Sequence, residues 1–546
     1  MLDVRVYAAL QGLSRRRFRF PTHWLPGSLR LFATTKMSDK PISLVASIDQ
    51  GTQSTRFMLL DHAGQVVSDA MSTHEQFFPK PGWVQHDAME ILASTKEAMR
   101  AAMLEAIALH RSLKVVAVGI TNQRETVVVW DKRTGQPLHQ AIVWLDTRTS
   151  GIVQEFSEKY GGADAFRSIT GTPISSYFSA FKVLWLMRNH PHIEQALRDG
   201  EALIGTIDTW LIWNLTGGAD GGAFVTDVTN ASRTFLMDIN TCTWSDHMLG
   251  VFGIPRSCLP EIRSSSEVYG RLRDVGLSDL ENVPIAGCLG DQQSACVGQG
   301  LFKKGQVKCT YGTGAFILIN AGEEKVLSTH GLLTTPCYQL GRDRPVTWAI
   351  EGSIAIAGAA ISWLKDNLGA IDTAQESEQL LRAIDDTEGV FFVPAFAGLF
   401  APRWRSDARG CIVGITQGTT KAHIVRALFE AIAFQLNEIV AAMRKDMQID
   451  SVPLLKVDGG MTKNSTFMQL NANLVQTTVE KPKNVEVTAM GAAFAAGLGV
   501  GFWDSLDELN NLNDHDTRWT PGVTQDFVEA KIRGWNDAVE KSLNWV

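Results

Sequence analysis

Short apolar blocks alternate with polar turns and with longer stretches of helical period along this chain. Leu44, Val45, Ala46 and Ile48 enter a polar turn, Asp49-Gln50-Gly51-Thr52-Gln53-Ser54-Thr55-Arg56, and residues 57–60 leave it apolar again. Two β-rich runs around a Gly-containing turn predict a β-hairpin. Asp87 then precedes a helical run over 88–110, with Glu90 three residues on, which predicts a capping box. Residues 114–120 read as a buried strand ending in Thr121-Asn122-Gln123-Arg124-Glu125-Thr126, and 127–130 as the next strand. Half a chain later, 307–320 repeats the opening plan, with Gly312-Thr313 where Gly51-Thr52 stood. Between the two, an apolar strand from Ile285 ends in Gly290-Asp291-Gln292-Gln293, small residues begin a helix, and 298–305 reads as the crossover between two domains. Farther on the pattern predicts a helix over 352–364, a Gly/Pro-rich loop over 394–404, an amphipathic helix over 422–444, and a strand over 454–457 entering Asp458-Gly459-Gly460. The uncharged stretch 487–503 is rich in Gly and Ala and poor in Leu and Ile, so it predicts a helix packed closely inside protein, not a membrane span.

The hairpin tips carry the candidate chemistry. Gly51 lets backbone approach a bulky anion, Thr52 and Ser54 hydroxyls with main-chain N–H groups can donate to phosphate oxygens, Gln53 adds a donor, and Arg56 adds charge. Asp49 is placed to hold a phosphate-bound Mg²⁺ through its waters. Polar clusters at strand C-termini are where such sheets bind ligands, and an adjacent Arg124 and Glu125 behind a strand are costly unless used. Bulk properties narrow the class. At 546 residues two large domains are expected, and 45% apolar with 20% charged residues describes an ordinary soluble protein. A net charge of −7 argues against a nucleic-acid partner. Seven cysteines without a CxxC pair fit a reducing compartment and no structural zinc. The first forty residues carry Arg5, Arg15, Arg16, Arg17, Arg19 and Arg30 against only Asp3 and Asp39, a composition similar to a mitochondrial transit peptide; the other reading is an extension before a cytoplasmic protein beginning near Met37.

Two phosphate-facing hairpins on two similar domains are the plan of the actin, hexokinase and sugar-kinase superfamily, and from about 43 to 545 the chain resembles the FGGY carbohydrate kinases. Tyr177-Phe178-Ser179 through Lys182, Trp185 and Asn189 resembles that family's first signature, and 410–430 its second. TNQRET, FPKPGWVQHD and GDQQ resemble the branch that phosphorylates glycerol. The resemblance implies an α/β fold of two ribonuclease-H-like domains around a deep nucleotide cleft. It also implies an extension over 1–40, a domain over 41–298 with the acceptor site and first phosphate loop, and a nucleotide-binding domain over 299–546. The activity implied is ATP- and Mg²⁺-dependent phosphorylation of glycerol to sn-glycerol 3-phosphate, with another polyol or sugar as the alternative acceptor, by a homodimer or homotetramer in mitochondria or cytoplasm. Glycerol would meet Arg124, Glu125, Tyr177, Asp291 and Gln292, with Phe316 over its carbon face, Arg124 paired to Glu125, and Asp291 accepting the hydroxyl proton. ATP would meet Thr52, Gln53, Ser54, Arg56, Thr313, Gly358, Ser362, Gly460 and Asn464. Ser362 stands where the family often has Gln, and Gln53 where Thr is common.

Overall fold

The computed structural model describes residues 41–545 apart from 111, 397, 513 and 514; the segment 1–40, expected as an extension, lies outside the described residues. In the first lobe, β1 (Ile42–Gln50) and β2 (Ser54–Leu60) form the expected hairpin, with Asp49 opposite Arg56 and Gln50 opposite Thr55. β3 (Val66–Thr73) continues the antiparallel edge beyond β2. The helix α1 (Ala88–Leu109) follows, capped by Asp87, whose carboxylate accepts from the N–H groups of Met89 and Glu90. Only half of the expected capping box forms: the Glu90 carboxylate accepts from the Glu75 N–H at 3.2 Å, because the chain before the helix folds back across its first turn. β4 (Leu113–Asn122) runs two residues farther than the apolar pattern and lies parallel to β1. β5 (Pro284–Gly290) lies parallel to β4 and delivers α2 (Asp291–Gly298). Among the described residues this sheet has six strands, in the order Gly270–Arg271, β5, β4, β1, β2, β3.

The second lobe repeats the plan. β6 (Val307–Tyr311) and β7 (Ala315–Gly322) form the second hairpin. β8 (Thr347–Ile354) extends it antiparallel, while β9 (Leu455–Gly459) and β10 (Val479–Pro482) follow β6 in parallel. The central order β8-β7-β6-β9-β10 thus mirrors β3-β2-β1-β4-β5. The sequence overextends one helix here. Gly352 and Ser353 pair with Ile317 and Phe316 in the sheet, and the helix begins only at Gly358 (Gly358–Asp366). Backbone pairing with β7 outweighs the helical look of the small residues. The amphipathic helix is longer than its periodicity predicts, α3 spanning Lys421–Met447.

The Gly/Ala segment becomes α4 (Val487–Gly499), and no helix of the described residues is long and apolar enough to cross a membrane. α4 belongs by sequence to the second half but packs on the first-lobe sheet and on α2, placing Ala489, Ala493 and Phe494 against Val45, Ala117 and Ala286. The approach is backbone to backbone. A Cβ on Gly491 would stand 1.9 Å from the Ser294 carbonyl oxygen, and one on Gly298 1.8 Å from that of Val487. That is why the segment is built from glycine and alanine, and why it ties the second half of the chain so closely to the first lobe.

Candidate active site

Arg124 and Glu125 follow the end of β4, and both are buried. They do not pair with each other as expected. The Arg124 guanidinium donates to both Glu351 oxygens at 2.8 and 2.9 Å, to Gln293 Oε1 at 3.2 Å, and its Nε lies 3.1 Å from Asp291 Oδ1. Glu125 turns away on a left-handed backbone (φ 59°) and accepts from Arg233 Nε at 2.5 Å. Arg233 also reaches Glu351 at 3.4 Å, so two arginines and two glutamates alternate in a buried quartet. Glu351 faces both guanidiniums, and although burial opposes it, their charges hold its carboxyl down at about 2. Burial dominates at Glu125 and pushes its carboxyl up, with Glu351 adding to the rise, against the lowering pull of Arg233 and Arg124. Sequence reasoning missed Arg233 and Glu351. The available signal was Glu351 as the lone charge in the apolar run 346–360.

Asp291 opens α2 and is the exposed member of the cluster, with a third of its side chain open to solvent. Its Oδ1 accepts from the Gln292 N–H at 2.7 Å. Of Arg124's five N–H groups, four are spent on the contacts above, leaving one for a ligand. Aromatic rings wall this spot. Trp144 stands edge-on to Tyr177 at 5.7 Å and to Phe316 at 6.0 Å, and the Phe316 ring lies 5.7 Å from the Arg124 guanidinium carbon. Phe316 comes from β7, so the second lobe closes a pocket built largely by the first. Trp144 was not singled out by the sequence; its indole N–H donates to Thr52 Oγ1 at 3.1 Å, tying this pocket to the first hairpin tip.

At that tip the Gly51 N–H is consumed by the Ser54 carbonyl at 2.9 Å, so of the main-chain N–H groups there this one is not free for an anion. The Thr52 hydroxyl accepts from Trp144 and so keeps its own proton to donate. Gln53 is exposed and Ser54 half-buried. Arg56 lies on β2 and is paired with Asp69 and, at 3.2 Å, with Glu486. Asp49 is pushed up to about 7, first by burial, then by the nearby carboxylates of Asp291 and Glu486. A carboxylate crowded by two others is a fit place for a divalent cation.

The remaining candidates meet in the second lobe. Thr313, Gly358, Ser362, Gly460 and Asn464 all line one cavity of about 710 Å³, together with Trp363, Phe396 and Phe429. The two glycines of Asp458-Gly459-Gly460 divide their work. Gly459 (φ 91°) lies where a Cβ would be 2.2 Å from the Tyr311 carbonyl oxygen, whereas a Cβ on Gly460 would meet nothing. Gly459 is required by strand packing, and Gly460 keeps the cavity wall flat.

Two sheets of one strand order, each presenting a hairpin tip to a shared cleft with an acid cluster at its base, define the actin- and hexokinase-like kinase fold. The chain belongs to the FGGY family of carbohydrate kinases, whose N-terminal domain matches residues 44–298 and C-terminal domain residues 307–500. It is 51% identical over 504 residues to glycerol kinase of Pseudarthrobacter chlorophenolicus, covering 92% of this chain and 98% of that one. It is 49% identical over 502 residues to glycerol kinase of Acidiphilium cryptum, with 92% and 99% covered. Among solved structures, Plasmodium falciparum glycerol kinase with ADP superposes at a TM-score of 0.87 with 48% identity, over 92% of this chain and 99% of that one. Gluconate kinase from Lactobacillus acidophilus, at 21% identity and a TM-score of 0.81 over 92% and 97% of the two chains, shares the fold.

Proposed function

We propose that this chain transfers the γ-phosphoryl group of ATP to a terminal hydroxyl of glycerol. The observation that carries this reading is the cluster of Arg124, Glu125 and Asp291 walled by Phe316 of the second hairpin and by Trp144, which is bonded to the first hairpin tip at Thr52. Similarity at about half identity to glycerol kinases over nearly the whole chain supports the same acceptor. A terminal hydroxyl is a poor nucleophile at neutral pH, so Asp291 accepts its proton as transfer proceeds. Arg124 and Glu125, fixed by Glu351 and Arg233, hydrogen-bond the other hydroxyls, and Phe316 covers the carbons. A triol offers little apolar area, so recognition depends on hydrogen bonds; a missing one strands a buried group at about 1–3 kcal/mol.

The adenosine lies in the cavity lined by Gly358, Ser362, Gly460 and Asn464, and the phosphates between Thr313 and the tip at Thr52, Gln53 and Ser54, with Arg56 alongside. Mg²⁺, when bound with ATP, neutralises phosphate charge, and Asp49 is the residue that would hold it through water. Residues 41–298 supply the acceptor side and 299–546 the nucleotide side. By resemblance the chain is a homodimer or homotetramer, which light scattering measures. The arginine-rich 1–40 segment is a mitochondrial transit peptide or an extension of a cytoplasmic enzyme, and a reporter fused behind it decides between them. The test of the activity is a coupled assay for glycerol 3-phosphate with glycerol, xylulose, ribulose and gluconate offered in turn. Turnover of a sugar in preference to glycerol overturns the choice of acceptor.

A further inference from the structure

Lys308 lies on β6 in the second lobe and is fully buried. Its ammonium donates to Gln292 Oε1 on α2 of the first lobe and, at 2.8 Å, to Thr310 Oγ1. The Thr310 hydroxyl donates in turn to Asp458 Oδ2 at 2.9 Å, which also receives a hydrogen bond from Gln299. Lysine carries three donors and no acceptor, so the amide oxygen of Gln292 must face it. Among the described residues the Gln292 amide nitrogen has no hydrogen-bond partner. A glutamine can ordinarily present either end of its amide; this one cannot.

We propose that Lys308 is a specificity-determining positioning residue: by holding the Gln292 oxygen it leaves only N–H groups for the acceptor, so the substrate atom at Gln292 must be a lone-pair-bearing oxygen. The inference rests on the reading of Gln292 as an acceptor-site residue. Lys308 touches no substrate and acts through Gln292. A hydroxyl satisfies the requirement, and a protonated amine in its place does not. Because the same lysine is tied through Thr310 to Asp458, just before the Gly460 wall of the nucleotide cavity, it also braces the two halves of the cleft.

The test compares wild type, Lys308→Met, Gln292→Ala, the double variant and Gln292→Glu, with glycerol, 3-amino-1,2-propanediol and 2-amino-1,3-propanediol at pH 7.5. In Lys308→Met the glycerol KM rises roughly 10-fold or more, as for a lost hydrogen bond to a buried group, while the ATP KM stays within a few-fold. The preference for glycerol over at least one amino analogue narrows, because the freed amide can turn its oxygen to the cleft. In a Gln292→Ala background the lysine substitution adds nothing to the glycerol KM. Additive effects, or an unchanged amine discrimination, overturn the proposal. Gln292→Glu keeps a partner for Lys308 and therefore the packing, yet has no N–H to offer, so its glycerol KM rises as far as that of Gln292→Ala; a near-wild-type value also overturns the proposal. If wild type fails to phosphorylate glycerol at all, the acceptor reading fails instead, and the same cycle is run on the polyol that is turned over.

Discussion

Replacing Glu351 by glutamine removes the charge that two buried arginines share. The carboxylate receives two Arg124 N–H groups at 2.8 and 2.9 Å and lies 3.4 Å from Arg233, all inside the protein. Its carboxyl is held down at about 2, against an ordinary 4.5, a difference worth about 3 kcal/mol. That agrees with the roughly 3–5 kcal/mol lost when one partner of a buried ion pair is removed. Glutamine keeps the shape but turns an N–H₂ toward at least one guanidinium, so little of this is recovered. The sign fixes the pH behaviour: a lowered carboxyl contributes stability that is complete above about 4.5 and disappears as pH falls toward 2. Urea unfolding followed by tryptophan fluorescence should therefore show the variant less stable by about 3 kcal/mol, with the gap level from pH 5 to 8. Because Glu351 orients Arg124, the glycerol KM should rise more than the ATP KM. A loss below about 1 kcal/mol, or a gap that changes between pH 5 and 8, would refute the account of the quartet.

Asp291→Asn should lower turnover by roughly 10²–10⁴ while glycerol and ATP binding, measured by calorimetry, stay within a few-fold; retention of a tenth of turnover means that Asp291 is not the base. Asp49→Asn should stabilise the Mg²⁺-free protein: the carboxyl is raised to about 7 in the fold, so charging it costs stability between about pH 4 and 7. The variant's advantage should grow across that window by up to about 1.4 kcal/mol per pH unit and level off above it, and a constant difference would contradict the crowded-carboxylate picture. Gly491→Ala should cost roughly 1–3 kcal/mol by overpacking, since its Cβ would meet the Ser294 carbonyl oxygen, whereas Gly250→Ala, with nothing within 4 Å, should be tolerated. Equal unfolding midpoints for the two variants would mean that α4 can shift freely on α2.

The hairpins were legible because strand alternation and a glycine tip are local signals. The acid at Asp291 was legible because a carboxylate at a strand end beside glycine is expensive without a use. What stayed hidden is pairing at long range. Arg124 and Glu351 are 227 positions apart, and nothing short-range in either segment names the other. Adjacency suggested that Arg124 would pair with Glu125, but neighbouring side chains diverge on an extended chain, and the left-handed backbone at Glu125 turns it to Arg233 instead. Lys308 and Trp144 were hidden for a similar reason. Each looks like one strand or loop residue among apolar neighbours until the second lobe is folded against the first.

The crossing of α4 onto the first-lobe sheet has a consequence for biosynthesis. Translation delivers β1, β4 and β5 well before residues 487–499 leave the ribosome, so the face formed by Val45, Ala117 and Ala286 stays uncovered while most of the second half is made. The nascent first half is therefore an unfinished hydrophobic surface for much of its synthesis, open to chaperones and to self-association. A stop codon placed just before Val487 would deprive the opposite half of the molecule of its inner layer, so such a truncated product should be insoluble and not a free-standing first lobe.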